Sequence, residues 1–141
     1  MSSKTQTFSI IKPDAIKAKN HGKILDFLEN KGFKIVAQKK LKLSKVQAEA
    51  FYDIHKDRPF FKDLIDFMIS GEIVAQVLEA EDCVNQYRKV MGDTNPENAD
   101  NNTLRKLYGS NIQCNAVHGS DSKENAEKEI SFFFSKLELL N

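Results

Sequence analysis

Tryptophan is absent from the 141 residues, and cysteine, proline and glycine are scarce at two, three and six. Cys83 and Cys114 stand far apart, so they form neither a disulfide framework nor the paired spacing of a zinc site. Each reads as a free thiol packed like a small hydrophobe. No charge sign dominates: 21 Lys and Arg meet 20 Asp and Glu, a formal net charge of +1. A dedicated nucleic-acid binder is usually strongly basic, so that class recedes, while a local basic pocket stays open. No apolar run approaches the ~20 residues that span a bilayer. Residues 1–6 are short and polar, unlike a signal peptide. The chain therefore reads as cytoplasmic, with no membrane partner and no obligate nucleic acid.

The sequence also has no internal repeat, no G-x-x-x-x-G-K-[ST] phosphate loop, no G-x-G-x-x-G fingerprint, no G-x-S-x-G and no C-x-x-C. Its three histidines, His21, His55 and His118, lack the spacing of a helical metal site. What is present is globular: 40% hydrophobic and 29% charged residues, at a length that suits one domain, 1–141.

Residues 5–11 read as a strand with Phe8 and Ile10 on one face, stopped by Pro13. Residues 22–31 read as a helix with a Gly32 stop, and 33–43 as a loosely alternating strand. Ser44 and Gln47 have capping-box form and open a helix. Val46, Ala50 and Ile54 are expected on its buried face, with Tyr52 and His55 on another. Further helices are expected over 60–70, 82–91, 103–108 and 122–134, with Asp121 and Glu124 in capping-box register for the last. Residues 72–78 read as a central strand, apolar on both faces, and 115–118 as a short one. Residues 92–102 form a long polar loop, a length that is usually functional or disordered. Alternating strands and helices give an α/β (α+β) sandwich. Interleaved β-α-β halves would make it ferredoxin-like, a four-stranded antiparallel sheet with helices packed on it.

Chemistry concentrates in a few places. A short apolar strand delivers His118, Gly119 turns the chain, and a helix N-terminus follows, which suits an anion. A neutral histidine there can attack phosphorus, or it can merely hydrogen-bond in a turn. Glu129 sits at the edge of the last helix's buried stripe (Ala126, Ile130, Phe133, Phe134). There it either orients the non-reacting nitrogen of His118 or pairs with a lysine. Lys12 keeps the inward phase of the first strand, where a lysine snorkels or works. Arg88 and Arg105 are phosphate forks or surface charges. Thr94 is a phosphate donor or a turn residue, and Phe60 stacks on a base or joins the core.

Five stretches together resemble nucleoside diphosphate kinases over nearly the whole chain. They are Ile11-Lys-Pro-Asp-Ala15, Arg58-Pro-Phe-Phe61, Ser70-Gly71, Met91-Gly-x-Thr-Asn-Pro96 and Asn115-x-x-His-Gly-Ser-Asp-Ser122. The look is that of the short bacterial or organellar chains. The resemblance implies a ferredoxin-like fold and reversible, ping-pong transfer of a γ-phosphoryl group between nucleotides. It implies that His118 is transiently phosphorylated and that Glu129 and Ser120 support its ring. Tyr52, His55, Arg88, Thr94 and Arg105 would contact phosphates, and Lys12 and Asn115 the ribose hydroxyl and the phosphate side. Lys12 and Tyr52 would also serve catalysis. Phe60 would stack on the base beside Leu64 and Ile112, accepting any base because each has a π-face. Asp121 would support the phosphate and metal region. Mg²⁺ would arrive on the nucleotide and not in a protein cage. A homo-oligomer, tetramer or hexamer, is implied. Asn102, Lys106 and Leu107 depart from the family's usual loop, which touches its conformation and subunit contacts but not Arg105. The alternatives are a catalytically silent regulatory subunit, a ferredoxin-like nucleic-acid module and a histidine phosphocarrier. The nucleic-acid module sits poorly with a near-neutral charge and sparse tyrosine, and the phosphocarrier leaves Phe60, Thr94 and Asn115 without work.

Overall fold

The computed structural model describes residues 4–139. Strands β1 (Lys4–Ile11), β2 (Lys34–Leu41), β3 (Ile73–Glu81) and β4 (Val117–Gly119) form one sheet. Their order is β2-β3-β1-β4, with every neighbouring pair antiparallel. β1 lies inside the sheet: Ile10 faces Ala75 of β3 on one side and His118 of β4 on the other. β3 is the other inner strand, and its first six residues are all buried.

Helices cover both faces. Helices α1 (Pro13–Lys17), α2 (His21–Asn30), α5 (Cys83–Met91) and α6 (Leu104–Tyr108) pack on Ile11, Val74, Leu78 and Val117. Helices α3 (Lys45–Phe51), α4 (Phe61–Met68) and α7 (Lys123–Phe133) pack on Phe8, Ile10, Ala75 and Val77. This is the ferredoxin-like sandwich, with the two-residue phase of β1 and β3 deciding which side chain serves which layer.

The structure departs from expectation in three places and gives a cause for a fourth feature. Pro13 ends β1 but also starts α1, since proline fits the first helical position where its missing N–H costs nothing. The buried side of α3 is not Val46, Ala50 and Ile54. Val46 and Ile54 are 74% and 75% exposed, Ala50 is also exposed, and Ala48 and Tyr52 are buried. The helix ends at Phe51 and a 3₁₀ turn, Asp53–His55, follows. The wheel therefore loses its phase, and the larger rings of Phe51 and Tyr52 take the core side. The loose alternation of β2 has a cause in a bulge between Ile35 and Ala37. Finally, α7 is capped by Ser122, which accepts from the Asn125 N–H at 3.1 Å; Asp121 accepts from the Asn125 side chain instead. The Ser44–Gln47 capping box on α3 forms as expected.

Candidate active site

The main chain ahead of His118 is forced. Ala116 has φ +75°, and the Val117 N–H donates to the Asn115 carbonyl at 2.9 Å. That is a γ-turn with a positive φ, a rare conformation for a residue with a side chain. The Lys12-Pro13-Asp14 corner holds it. The Lys12 N–H donates to the Ala116 carbonyl at 2.8 Å, and the Ala116 N–H donates to Asp14 Oδ2 at 3.1 Å. Burial pushes the Asp14 carboxyl above its ordinary range, against the pull of the Ala116 N–H and Lys12. Beyond His118, a Cβ on Gly119 would lie 2.5 Å from Met91 Cε and 2.8 Å from Tyr87 Cε2, so no larger residue fits there.

His118 Nε2 meets Glu129 Oε1 of α7 at 3.0 Å, and the Ser120 hydroxyl donates to the same oxygen at 2.7 Å. An oxygen that already accepts from Ser120 accepts from His118 too, so Nε2 carries the hydrogen. Nδ1 is left with its lone pair. The rings of Phe51, Tyr52 and Phe8 surround the imidazole, with centroids at 5.6, 6.1 and 6.2 Å. Among the described residues, buried Tyr52 Oη has no hydrogen-bond partner. Burial, and then Glu129, hold its phenol far above the ordinary tyrosine range, so it stays a neutral donor.

Two clefts adjoin. One, about 320 Å³, is lined by Arg88, Gly92, Asp93, Thr94, Arg105 and Gly119. The other, about 500 Å³, is lined by Lys12, Phe60, Leu64, Thr94, Ile112 and Gln113. Thr94 lines both. The first is basic and the second mostly apolar, an arrangement that suits a molecule with an anionic end and a flat ring. The Lys12 amine is buried and donates to Asn115 Oδ1 at 2.8 Å, and the Asn115 amide donates to the Thr94 carbonyl at 3.0 Å. Burial, and then the positive charge of Arg105, lower the Lys12 amine to about 8. Arg105 donates to the carbonyls of Gly92 and Val117, each at 3.0 Å, which ties the loop to β4. Its buried Nε has no partner among the described residues. Among the described residues no three His, Cys, Asp or Glu side chains converge on a metal. A single carboxylate, Asp93, lines the basic cleft. One carboxylate beside phosphates is the donor set with which Mg²⁺ keeps several waters.

A family model described as nucleoside diphosphate kinase matches residues 5–139. The chain belongs to the nucleoside diphosphate kinase family. A nucleoside diphosphate kinase of Persephonella marina is 56% identical over 135 residues, covering 96% of each chain. One from Campylobacter concisus is 55% identical over 134 residues, 95% of this chain and 98% of its own. The solved Aquifex aeolicus nucleoside diphosphate kinase superposes with TM-score 0.95 at 42% identity, over 97% of this chain and 99% of its own. A halophilic one from Halobacterium salinarum, solved in complex with CDP, superposes with TM-score 0.92 at 37% identity, over 97% and 91%. The family's activity, phosphoryl transfer between nucleotides, is this chain's activity.

On the nucleoside diphosphate kinase frame, most of the expected residues gather. His118, Glu129, Ser120 and Tyr52 form one cluster, and Lys12, Asn115 and Thr94 a second that borders both clefts. Arg88 and Arg105 line the basic cleft, and Phe60, Leu64 and Ile112 the apolar one. Two sit elsewhere. His55 lines neither cleft and lies against Phe60, ring centroids 5.6 Å apart. Asp121 faces a separate hollow with Thr5, Gln6 and Asp82. Sequence reasoning passed over Asp14, Ala116 and Asp93. Asp14 stands within the quoted Lys-Pro-Asp block, so a mark was there. A positive φ at an alanine leaves none.

Proposed function

We propose that His118 Nδ1 carries the phosphoryl group in a reversible, ping-pong exchange between nucleoside triphosphates and diphosphates. The observation that carries the reading is an imidazole whose Nε2 is tied to Glu129 beside a basic cleft that runs into an apolar one. The Nδ1 lone pair forms the N–P bond as the bond from the γ-phosphorus to the β-bridging oxygen breaks. The leaving diphosphate keeps that electron pair. An acceptor diphosphate then enters the same clefts and its terminal oxygen reverses the step. The Nε2 proton stays in place, and Glu129 balances the charge that grows on the ring. Arg88, Arg105 and Thr94 hold phosphate oxygens, joined by Tyr52 through its unpartnered hydroxyl. Lys12 and Asn115 hold the sugar hydroxyl and the phosphate side. Phe60 stacks on the base between Leu64 and Ile112. His55 acts through Phe60, and Asp121 from the helix end. Mg²⁺ carried by the phosphates supplies charge neutralisation at the γ-group.

The chain works as one domain, 1–141, in the cytoplasm, and assembles with copies of itself into a tetramer or hexamer. No described helix is long and apolar enough to cross a membrane. The test is a phosphoenzyme assay. Wild type mixed with γ-labelled ATP and Mg²⁺ is expected to take up acid-labile, base-stable label that GDP removes as GTP, while His118→Ala takes up none. Folded wild type that takes up no label sinks the reading.

A further inference from the structure

We propose that Tyr87, with Ser9 and Gln76 behind it, positions the His118 main chain for phosphoryl transfer through a one-way chain of hydrogen bonds crossing the sheet. The inference rests on His118 as the phosphoryl carrier. In register, Gln38 of β2 lies beside Gln76 of β3, Gln76 beside Ser9 of β1, and Ser9 beside Gly119 of β4. The Gln38 amide donates to Gln76 Oε1 at 2.9 Å, and the Gln76 amide donates to Ser9 Oγ at 3.2 Å. Ser9 Oγ lies 2.6 Å from Tyr87 Oη, and Tyr87 Oη lies 3.4 Å from the His118 carbonyl oxygen.

One direction serves every acceptor in this row. A carbonyl only accepts, so Tyr87 donates to His118; Ser9 then donates to Tyr87 and is left to accept from Gln76. Every donor points toward His118, and such chains strengthen cooperatively. Ser9, Gln76 and Tyr87 are fully buried among Ile11, Val74 and Leu78. Aliphatic side chains would fill that row with no desolvation cost. β4 has three residues and, among the described residues, pairs along one edge alone, with β1. The Tyr87 ring lies under Gly119, where not even a methyl fits. His118 is thus gripped from the sheet face opposite its own imidazole, at the main chain, by a residue that never meets the nucleotide.

The experiment uses wild type, Tyr87→Phe, Ser9→Ala and the double variant. Three readouts are taken: the single-turnover rate of labelling by γ-labelled ATP, KM for ATP, and the His118 carbonyl ¹³C resonance. Tyr87→Phe, which removes one hydroxyl, is expected to slow labelling about tenfold. KM should stay within about twofold and the His118 carbonyl resonance should move. Ser9→Ala is expected to slow labelling similarly, and the double variant to be no slower than Tyr87→Phe, because both act through one chain. An unchanged labelling rate in Tyr87→Phe overturns the inference. So does a slower rate with a raised KM and an unmoved carbonyl resonance, which would make Tyr87 a packing residue. If Tyr87→Phe fails to fold, Ser9→Ala decides by the same criteria. Failure of the phosphohistidine reading itself is distinct, because then wild type takes up no label.

Discussion

The Lys12 amine is strongly altered by its surroundings, lowered from an ordinary 10.5 to about 8 by burial and Arg105. Two predictions follow from its sign. Burial disfavours the charged amine, so the folded protein gives up this proton before the unfolded chain does. Stability carried by Lys12 therefore rises with pH between about 8 and 10.5, by about 3 kcal/mol if no other group compensates. Urea midpoints of wild type and Lys12→Met, compared at pH 7 and pH 10, should show wild type gaining on the variant. Phosphates next to the amine act in the opposite direction and restore its charge. Nucleotide binding at pH 9 should then take up close to one proton, as read by calorimetry in two buffers, and Lys12→Met should abolish the uptake. At the other end of the clefts, Phe60 is 49% exposed and free to stack. Phe60→Ala should raise KM about tenfold for adenine, guanine, cytosine and uracil diphosphates alike, since stacking contributes about 1–3 kcal/mol per base. A rise confined to one base would mean that Phe60 reads base edges.

Helix α7 brings Glu129 to His118, and its first turn depends on Ser122. Ser122→Ala should cost about 1 kcal/mol and lower Tm by about 4 °C. It should also lower the rate of label uptake, because the carboxylate that orients the imidazole lies on the helix that frays. A Tm that falls while the rate holds would show that packing of Ile130 and Phe134 alone fixes the helix. This is also the scale at which the sequence was most and least readable. β1 and β3 were legible because alternation and an unbroken apolar run are local patterns. The capping box of Ser44 and Gln47 was legible for the same reason. α1 was not, since five residues after a strand leave no period to read. The face of α3 was misread because Val46 and Ile54 look apolar wherever they point. In the site, the motif blocks brought out Lys12, Thr94, Asn115 and His118, while Arg105 stood out only as a basic residue near an element end. The bond from Ala116 to Asp14 joins residues 102 apart, and nothing local records it.

Across the whole molecule, the parts of the candidate site come from every layer. Lys12 and Asp14 follow the inner strand β1, His118 lies on the strand beside it, Glu129 arrives from one helical layer and Arg88 and Arg105 from the other. The proposed assembly into oligomers belongs to this scale too. β2 is an outer strand, and Val46, Ile54 and Leu107 are exposed apolar side chains. Mass measured by light scattering should exceed that of one chain, and Tm should rise with protein concentration because association stabilises the folded form. A single-chain mass and a concentration-independent Tm would refute assembly.

The γ-turn at Ala116 also bears on how heat ends the activity. Its strain persists because the corner after β1 clamps it on both sides, and β1 is one of the two strands with a partner on each edge. The turn cannot relax while that corner stands, and the corner cannot loosen without opening the middle of the sheet. Amide exchange at Lys12 and Ala116 should accordingly be as slow as the slowest protons in the molecule. On warming, the rate of label uptake per folded molecule should hold until the cooperative transition and then vanish with it. Molecules should be either fully competent or unfolded, with no dimmed state between.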